Sequence, residues 1–408
     1  MNARINCLIF ALLFIGATVS AQQNTIFRIK AEGQYGWLLD KSKGTSLYGG
    51  EAALELPLFG NHNWEYTYNF PTVGFSGGYL RIPDPEYNRH VVPIVTYFHW
   101  PVVHTNAFAL NFKWGSGLAG LFLDKSETHT YEDYFPLTGV LQFGLNMDIA
   151  LSTKYGRPAA QWKITLGGNA QIYNNANVTR HTRNAILANV NLGLKYTPNV
   201  WPLPIKYPAK SVKHTLALEI YGAGGANQLE VGGDYYPNGV VNVAVFVPIS
   251  NAYRLGLAAD AFYNEAYNGT QREINTRYNF IKENEFINKF KVGIALANEI
   301  TMDRVRVGLH AGVYCLNKAK IPEHDEDGNE NDFLIENYLY TKLVTRFYFT
   351  PKFFIVADVK THLHRVECFN LGLGWAMPEF GSRLKNPFAR ISFKKEDKEE
   401  LRITGSED

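Results

Sequence analysis

Two clusters of side chains have the types and spacing to do chemistry. Asp325, Asp327, Asn329, Asn331 and Glu336 stand at offsets resembling a calcium loop, in which a hard cation draws several oxygen ligands from one tight turn. Glycine falls at Gly328 and the sixth position is Glu330, so the run reads first as a solvated acidic loop and second as a metal site. His310, His362 and His364 share a strand phase with Asp358, and imidazoles at i, i+2 supply two ligands of a metal site. With no third ligand of known proximity, polar packing accounts for them. Nucleotide, haem and phosphate-loop motifs are absent, and no cofactor is expected.

The elements that must position these residues are strands. Val305, Val307, Leu309, Ala311, Val313 and Cys315 alternate with Arg306, Gly308, His310 and Gly312. Trp162, Ile164, Leu166, Ala170 and Ile172 alternate with Lys163, Thr165, Asn169, Gln171 and Tyr173, and the same pattern returns in 189–196, 355–364 and 369–375. Between 27 and 377 the sequence predicts about sixteen strands, with fourteen as the alternative count, each long enough to cross a hydrocarbon core when tilted. Tight turns near 154–158, 250–252, 301–303 and 349–352 alternate with long polar connections at 124–136, 175–185, 266–288 and 317–335. Outer-membrane barrels show this asymmetry, with short turns in the periplasm and long loops outside. Trp64, Tyr66, Tyr68 and Phe70 read as interfacial anchors at strand ends. A secreted sandwich is the soluble alternative, but it rarely needs so many aromatic-ended strands.

Composition agrees. Of 408 residues, 46% are hydrophobic, and 40 Lys+Arg nearly balance 38 Asp+Glu, which excludes a disordered chain and a polybasic nucleic-acid binder. Arg4, the apolar run 7–14 and the small residues 19–21 form a secretory signal peptide at 1–21, cleaved near Ala21 after Sec export. The mature chain then keeps Cys315 and Cys368, whose phases lie on opposite faces and argue against a disulfide. Residues 22–377 read as one barrel, with 27–198 as its first half and 211–377 as additional strands. Pro202, Pro204 and Pro208 form a rigid periplasmic turn within it, and 378–408 is a charged periplasmic tail.

Further residues carry a family likeness. The opening strand 27–36, Phe112-Lys113-Trp114-Gly115-Ser116-Gly117-Leu118-Ala119, Leu192-Gly193-Leu194-Lys195-Tyr196, and the closing run from Lys360-Thr361-His362-Leu363-His364 to Leu371-Gly372-Leu373-Gly374 occur in order along the chain. Together they resemble the acyloxyacyl hydrolases, the lipid A 3-O-deacylase-like outer-membrane barrels, in a long form. The resemblance implies a hydrolase that removes an ester-linked acyl chain from lipid A. Its Ser nucleophile and His base stand in a His-x-Ser-Asn motif, with a further side chain orienting the His. The i, i+2 spacing puts both groups on the lipid face of one strand.

At the matching positions this sequence departs from that motif. Counting back without gaps from Leu192-Gly193-Leu194 puts Ile172 in place of the His, Asn174 in place of the Ser and Ile186 in place of the orienting residue, with Asn175 retained. A one-residue slip would offer Gln171 and Tyr173, which face inward. Isoleucine takes no proton, and an asparagine amide with no base beside it is a poor nucleophile. The sequence therefore predicts an all-β, transmembrane antiparallel barrel in the outer membrane that lacks the His/Ser dyad. Its role would be binding or structural, toward lipopolysaccharide or lipid A or a membrane-protein partner, with no nucleic acid. The alternatives are an active lipid A esterase with a relocated site, for example at His181, and a diffusion channel.

Overall fold

Alternating side chains suit a wall with lipid on one side and a polar lumen on the other, and among the described residues sixteen antiparallel strands form such walls. The computed structural model describes residues 27–39, 45–58, 63–83, 89–105, 107–123, 137–151, 162–174, 185–197, 215–228, 234–267, 286–321, 334–362 and 365–377. The signal peptide predicted at 1–21 and the charged tail predicted at 378–408 lie outside them.

The first eight strands are β1 (Arg28–Leu38), β2 (Ser46–Pro57), β3 (Thr72–Ile82), β4 (Arg89–His104), β5 (Phe108–Leu123), β6 (Leu137–Ala150), β7 (Trp162–Asn174) and β8 (Ala185–Tyr196). They close on themselves, because β1 pairs with β8 from Ile29↔Tyr196 to Leu38↔Leu187. The next eight are β9 (Ala217–Gln228), β10 (Tyr235–Pro248), β11 (Tyr253–Asn264), β12 (Phe290–Met302), β13 (Val305–Asn317), β14 (Leu339–Tyr348), β15 (Phe353–His362) and β16 (Arg365–Met377). These form a second ring through β9 and β16, from Leu371↔Gly224 to Met377↔Leu218. The all-β antiparallel class and the sixteen strands are as the sequence predicts. The single closed barrel is corrected to two rings of eight. Every strand edge is satisfied within each ring, so the stretch around Pro202, Pro204 and Pro208 joins two closed units instead of turning inside one. That stretch lies outside the described residues.

An eight-stranded ring has a lumen just wide enough for its own side chains, and both lumens are filled. In the first, Lys30 reaches Glu32 at 3.0 Å and Glu51 at 3.3 Å, and Lys113 reaches Glu51 at 3.1 Å. Lys195 bridges Glu55 at 3.0 Å and Asp148 at 2.8 Å. Tyr97 donates to Glu55 at 2.9 Å and lies over Gly74, where an added Cβ would fall 2.1 Å from the ring. In the second, Arg254 donates to Glu219 and Glu299, Arg306 and Arg346 join the same carboxylates, and Lys342 meets Asp260 at 2.6 Å and Asp358 at 3.2 Å. Tyr340 covers Gly312 as Tyr97 covers Gly74, with an added Cβ 2.3 Å from its ring. Buried ions cost several kcal/mol each unless paired, so these networks are tolerated only as nearly complete sets.

The outer walls are apolar, with Leu257 71%, Leu373 65% and Leu192 61% exposed. Short connections at 249–252, 303–304 and 349–352 share one end of the second ring, and the long ones share the other. The exceptions are instructive. The connection 58–71 sits at the short-turn end and carries helix α1 (Asn63–Thr67), which Asn69 and Phe70 end in left-handed backbone at φ 57° and 55°. Trp64 and Tyr68 therefore are not strand-end anchors. With Val73 and Phe98 they pack against Met302 and Val307 of the second ring, and the Tyr68 hydroxyl donates to the Ala252 carbonyl. Burial pushes the Tyr68 phenol above its ordinary pKa, which keeps it a donor.

Candidate functional site

The positions that the sequence resemblance equates with the family's catalytic residues, Ile172, Asn174 and Ile186, lie on β7 and β8, near the end carrying the long connections. Ile172 stands directly opposite Leu141 on one side and Ile186 on the other. The sequence thus brings two of its predicted site positions into cross-strand contact, and the resulting patch is aliphatic. Asn174 ends β7 opposite Gly139. Asn175 and His181 lie outside the described residues. Gln171 and Tyr173 are buried in the lumen, where Tyr173 donates to Gln171 at 2.7 Å, so the one-residue slip is not taken.

Of the calcium-like set, Glu336 is described, buried on a 3-10 turn at Leu334–Asn337, while Asp325, Asp327, Asn329 and Asn331 lie outside the described residues. His310, His362 and Asp358 do face inward, but the structure does not gather them. His310 meets Glu299 at 3.2 Å, and Asp358 accepts from Tyr221 and from Lys342. His364 lies outside the described residues. Among the described residues no group of three or more His, Cys, Asp or Glu could hold a metal ion. Cys315 is exposed and Cys368 buried, both free, which accords with their opposite phases.

A polar cluster not singled out from the sequence lies at the long-connection end of the second ring. The turn between β15 and β16 is two residues long, so His362 faces Glu367, with Nε2 2.6 Å from Oε2. Lys360 approaches the same oxygen at 2.9 Å, and Tyr267 donates to Oε1 at 2.6 Å while accepting from Lys291 at 2.8 Å. His362 Nδ1 lies 3.0 Å from the Leu339 carbonyl oxygen. A catalytic imidazole holds its acid with one nitrogen and keeps the other for the nucleophile's proton. Here the second nitrogen is spent on a backbone carbonyl, and the cluster ties β14, β15, β16 and the 3-10 turn at Glu265–Tyr267 together across the ring mouth. The hint in the sequence was a spacing of five residues across a hairpin turn, which sets His362 opposite Arg365 and brings Glu367 to the same face.

Residues 216–379 match the family model described as acyloxyacyl hydrolase, C-terminal domain. The second ring thus resembles the acyloxyacyl hydrolase C-terminal domain. The match spans β9 to β16 and leaves the first ring unmatched. In that ring His362 has the i, i+2 neighbour His364 and then Arg365, so the Ser and Asn of the His-x-Ser-Asn pattern are not met there either. Solved structures similar to parts of the chain include the Neisserial surface protein A, at 7% identity and TM-score 0.33, covering 42% of this chain and 96% of that one. The outer membrane enzyme PagL aligns at 12% identity and TM-score 0.26, covering 40% and 97% respectively. The N-terminal β-barrel domain of Pseudomonas aeruginosa OprF aligns at 12% identity and TM-score 0.26, covering 42% and 100%. No curated protein matches the chain.

Proposed function

We propose that this protein is a non-hydrolytic barrel pair whose work is done on its outer walls, by binding outer-leaflet lipid of the lipopolysaccharide class, after export and cleavage near Ala21. The observation that carries this reading is the Leu141–Ile172–Ile186 row, an aliphatic surface at the position that the sequence resemblance equates with the family's proton acceptor. The occupied nitrogens of His362 support it from the second ring. A diffusion channel is disfavoured, because buried ion pairs fill both lumens. A membrane-protein partner is compatible with the same outer walls.

The test is mass spectrometry of lipid A after incubation with the purified, detergent-folded protein, alongside Ile172→His/Asn174→Ser. The native protein is expected to leave every acyl chain in place. Loss of one acyl chain with the native protein would overturn the reading and point to an esterase with a relocated site.

A further inference from the structure

The first ring carries a concavity in its outer wall that neither its lumen nor its seam with the second ring uses. Strands β1 to β4 form a shallow, wide-open trough of about 740 Å³. Its floor is Ala31, Gly33, Gly50, Ala52 and Gly77, brought together by the register Gly33↔Gly50, Ala31↔Ala52 and Ala52↔Gly77. Tyr79, Val92 and Ile94 make one side. Packing does not require all of this smallness. A Cβ added at Gly77 would meet nothing within 4 Å, and at Gly33 nothing nearer than 3.9 Å. Glycine inside a strand commonly marks a close approach of another molecule, and here the open side faces hydrocarbon.

The end of the trough nearest the long connections is polar. Arg81 lies in cross-strand register between Tyr48 and His90, with Tyr35 opposite Tyr48. Tyr79 Oη is 2.6 Å from His90 Nδ1 with the rings stacked, and Arg81 Nε has no hydrogen-bond partner among the described residues. A guanidinium, an imidazole and three phenols thus stand together at one end of the shallow apolar surface. A guanidinium with neighbouring donors suits a phosphate, and the slot suits an acyl chain.

We propose that this trough seats an acyl chain of phosphorylated lipid A, with Arg81, His90 and the surrounding phenols on its phosphate. The proposal deepens the lipid-binding reading above and rests on it. It assigns the ligand to the first ring, outside the stretch matched by the family model and away from Ile172.

The test is native mass spectrometry of the full chain in detergent, titrated with diphosphorylated lipid A and, separately, with dephosphorylated lipid A. Three variants are compared, each first shown to be folded by heat-modifiable gel migration. Gly77→Leu fills the slot, Arg81→Gln removes the charge, and Gly222→Leu places the same bulk in open space on the second ring. Should Gly77→Leu not fold, Gly33→Val takes its place. The lipid A adduct is expected to weaken about tenfold in Gly77→Leu and in Arg81→Gln and to be unchanged in Gly222→Leu. The dephosphorylated lipid should bind weakly and be indifferent to Arg81→Gln. Unchanged binding in either first-ring variant, or equal loss in Gly222→Leu, would overturn the assignment. An adduct lacking one acyl chain would instead overturn the non-hydrolytic reading, leaving the variants to decide the location.

Discussion

The first ring fills its lumen mainly with lysines, asparagines and the tyrosines Tyr97 and Tyr173, whereas the second uses arginines wedged among aromatic rings. In the first, Lys30 and Lys195 each share a point charge between carboxylates on two strands, and Asn191 extends the network by donating to Glu32 at 2.9 Å and Asn146 at 3.1 Å. In the second, the planar fork of Arg254 spans Glu219 and Glu299 while lying 3.8 Å from the Phe246 ring centroid. The same closed geometry thus accepts two different fillings, provided each charge is matched within its own ring. What differs in use is the outside. The first ring has a slotted wall with a polar rim, and the second has a mouth tied shut through Glu367.

The comparison is broken most severely by removing one shared carboxylate. Glu219→Ala leaves Arg254, Arg306 and Arg346 short of a partner and is expected to cost the second ring about 3–5 kcal/mol. Glu55→Ala should do the same to the first, where Lys195 and His99 lose it. Urea unfolding in lipid vesicles, followed by tryptophan fluorescence, checks this. Trp37, Trp100, Trp114 and Trp162 report on the first ring and Trp375 on the second. Each substitution should shift mainly its own ring's transition.

A smaller effect is expected at the seam. Tyr68→Phe removes the hydrogen bond to the Ala252 carbonyl and should weaken the contact between rings by about 1 kcal/mol without altering either lumen. Faster proteolysis near 58–71, with both ring transitions unchanged, is the expected readout. Smallest of all is Cys315→Ser, within about 0.5 kcal/mol in the same urea assay, because Cys315 faces outward. A membrane-permeant maleimide should label Cys315 in the native protein and spare the buried Cys368.

Much of this was legible in the residues. Period-2 alternation placed Thr165, Asn169, Gln171 and Tyr173 inward, and all four are buried. It could not tell one ring of sixteen from two of eight, because both need identical alternation along every strand. The deciding contact, Ile29 with Tyr196, is remote in sequence and is set by how far the sheet coils before meeting its own edge. The trough escaped for a related reason. Gly33, Gly50 and Gly77 sit on three strands and become one surface only through register. Ile172 and Ile186 do stand opposite one another, whereas Glu367 was missed beside His362 because the strand was read on to His364 and Glu367 fell between the runs 355–364 and 369–375.

The most direct test of two independent closed rings is to express residues 27–197 and 215–377 separately and refold each into detergent or vesicles. Two self-closing rings should each give β-rich, heat-modifiable, protease-resistant barrels. If neither half closes alone, while the full chain does, the sixteen strands depend on one another and the account of two rings is wrong.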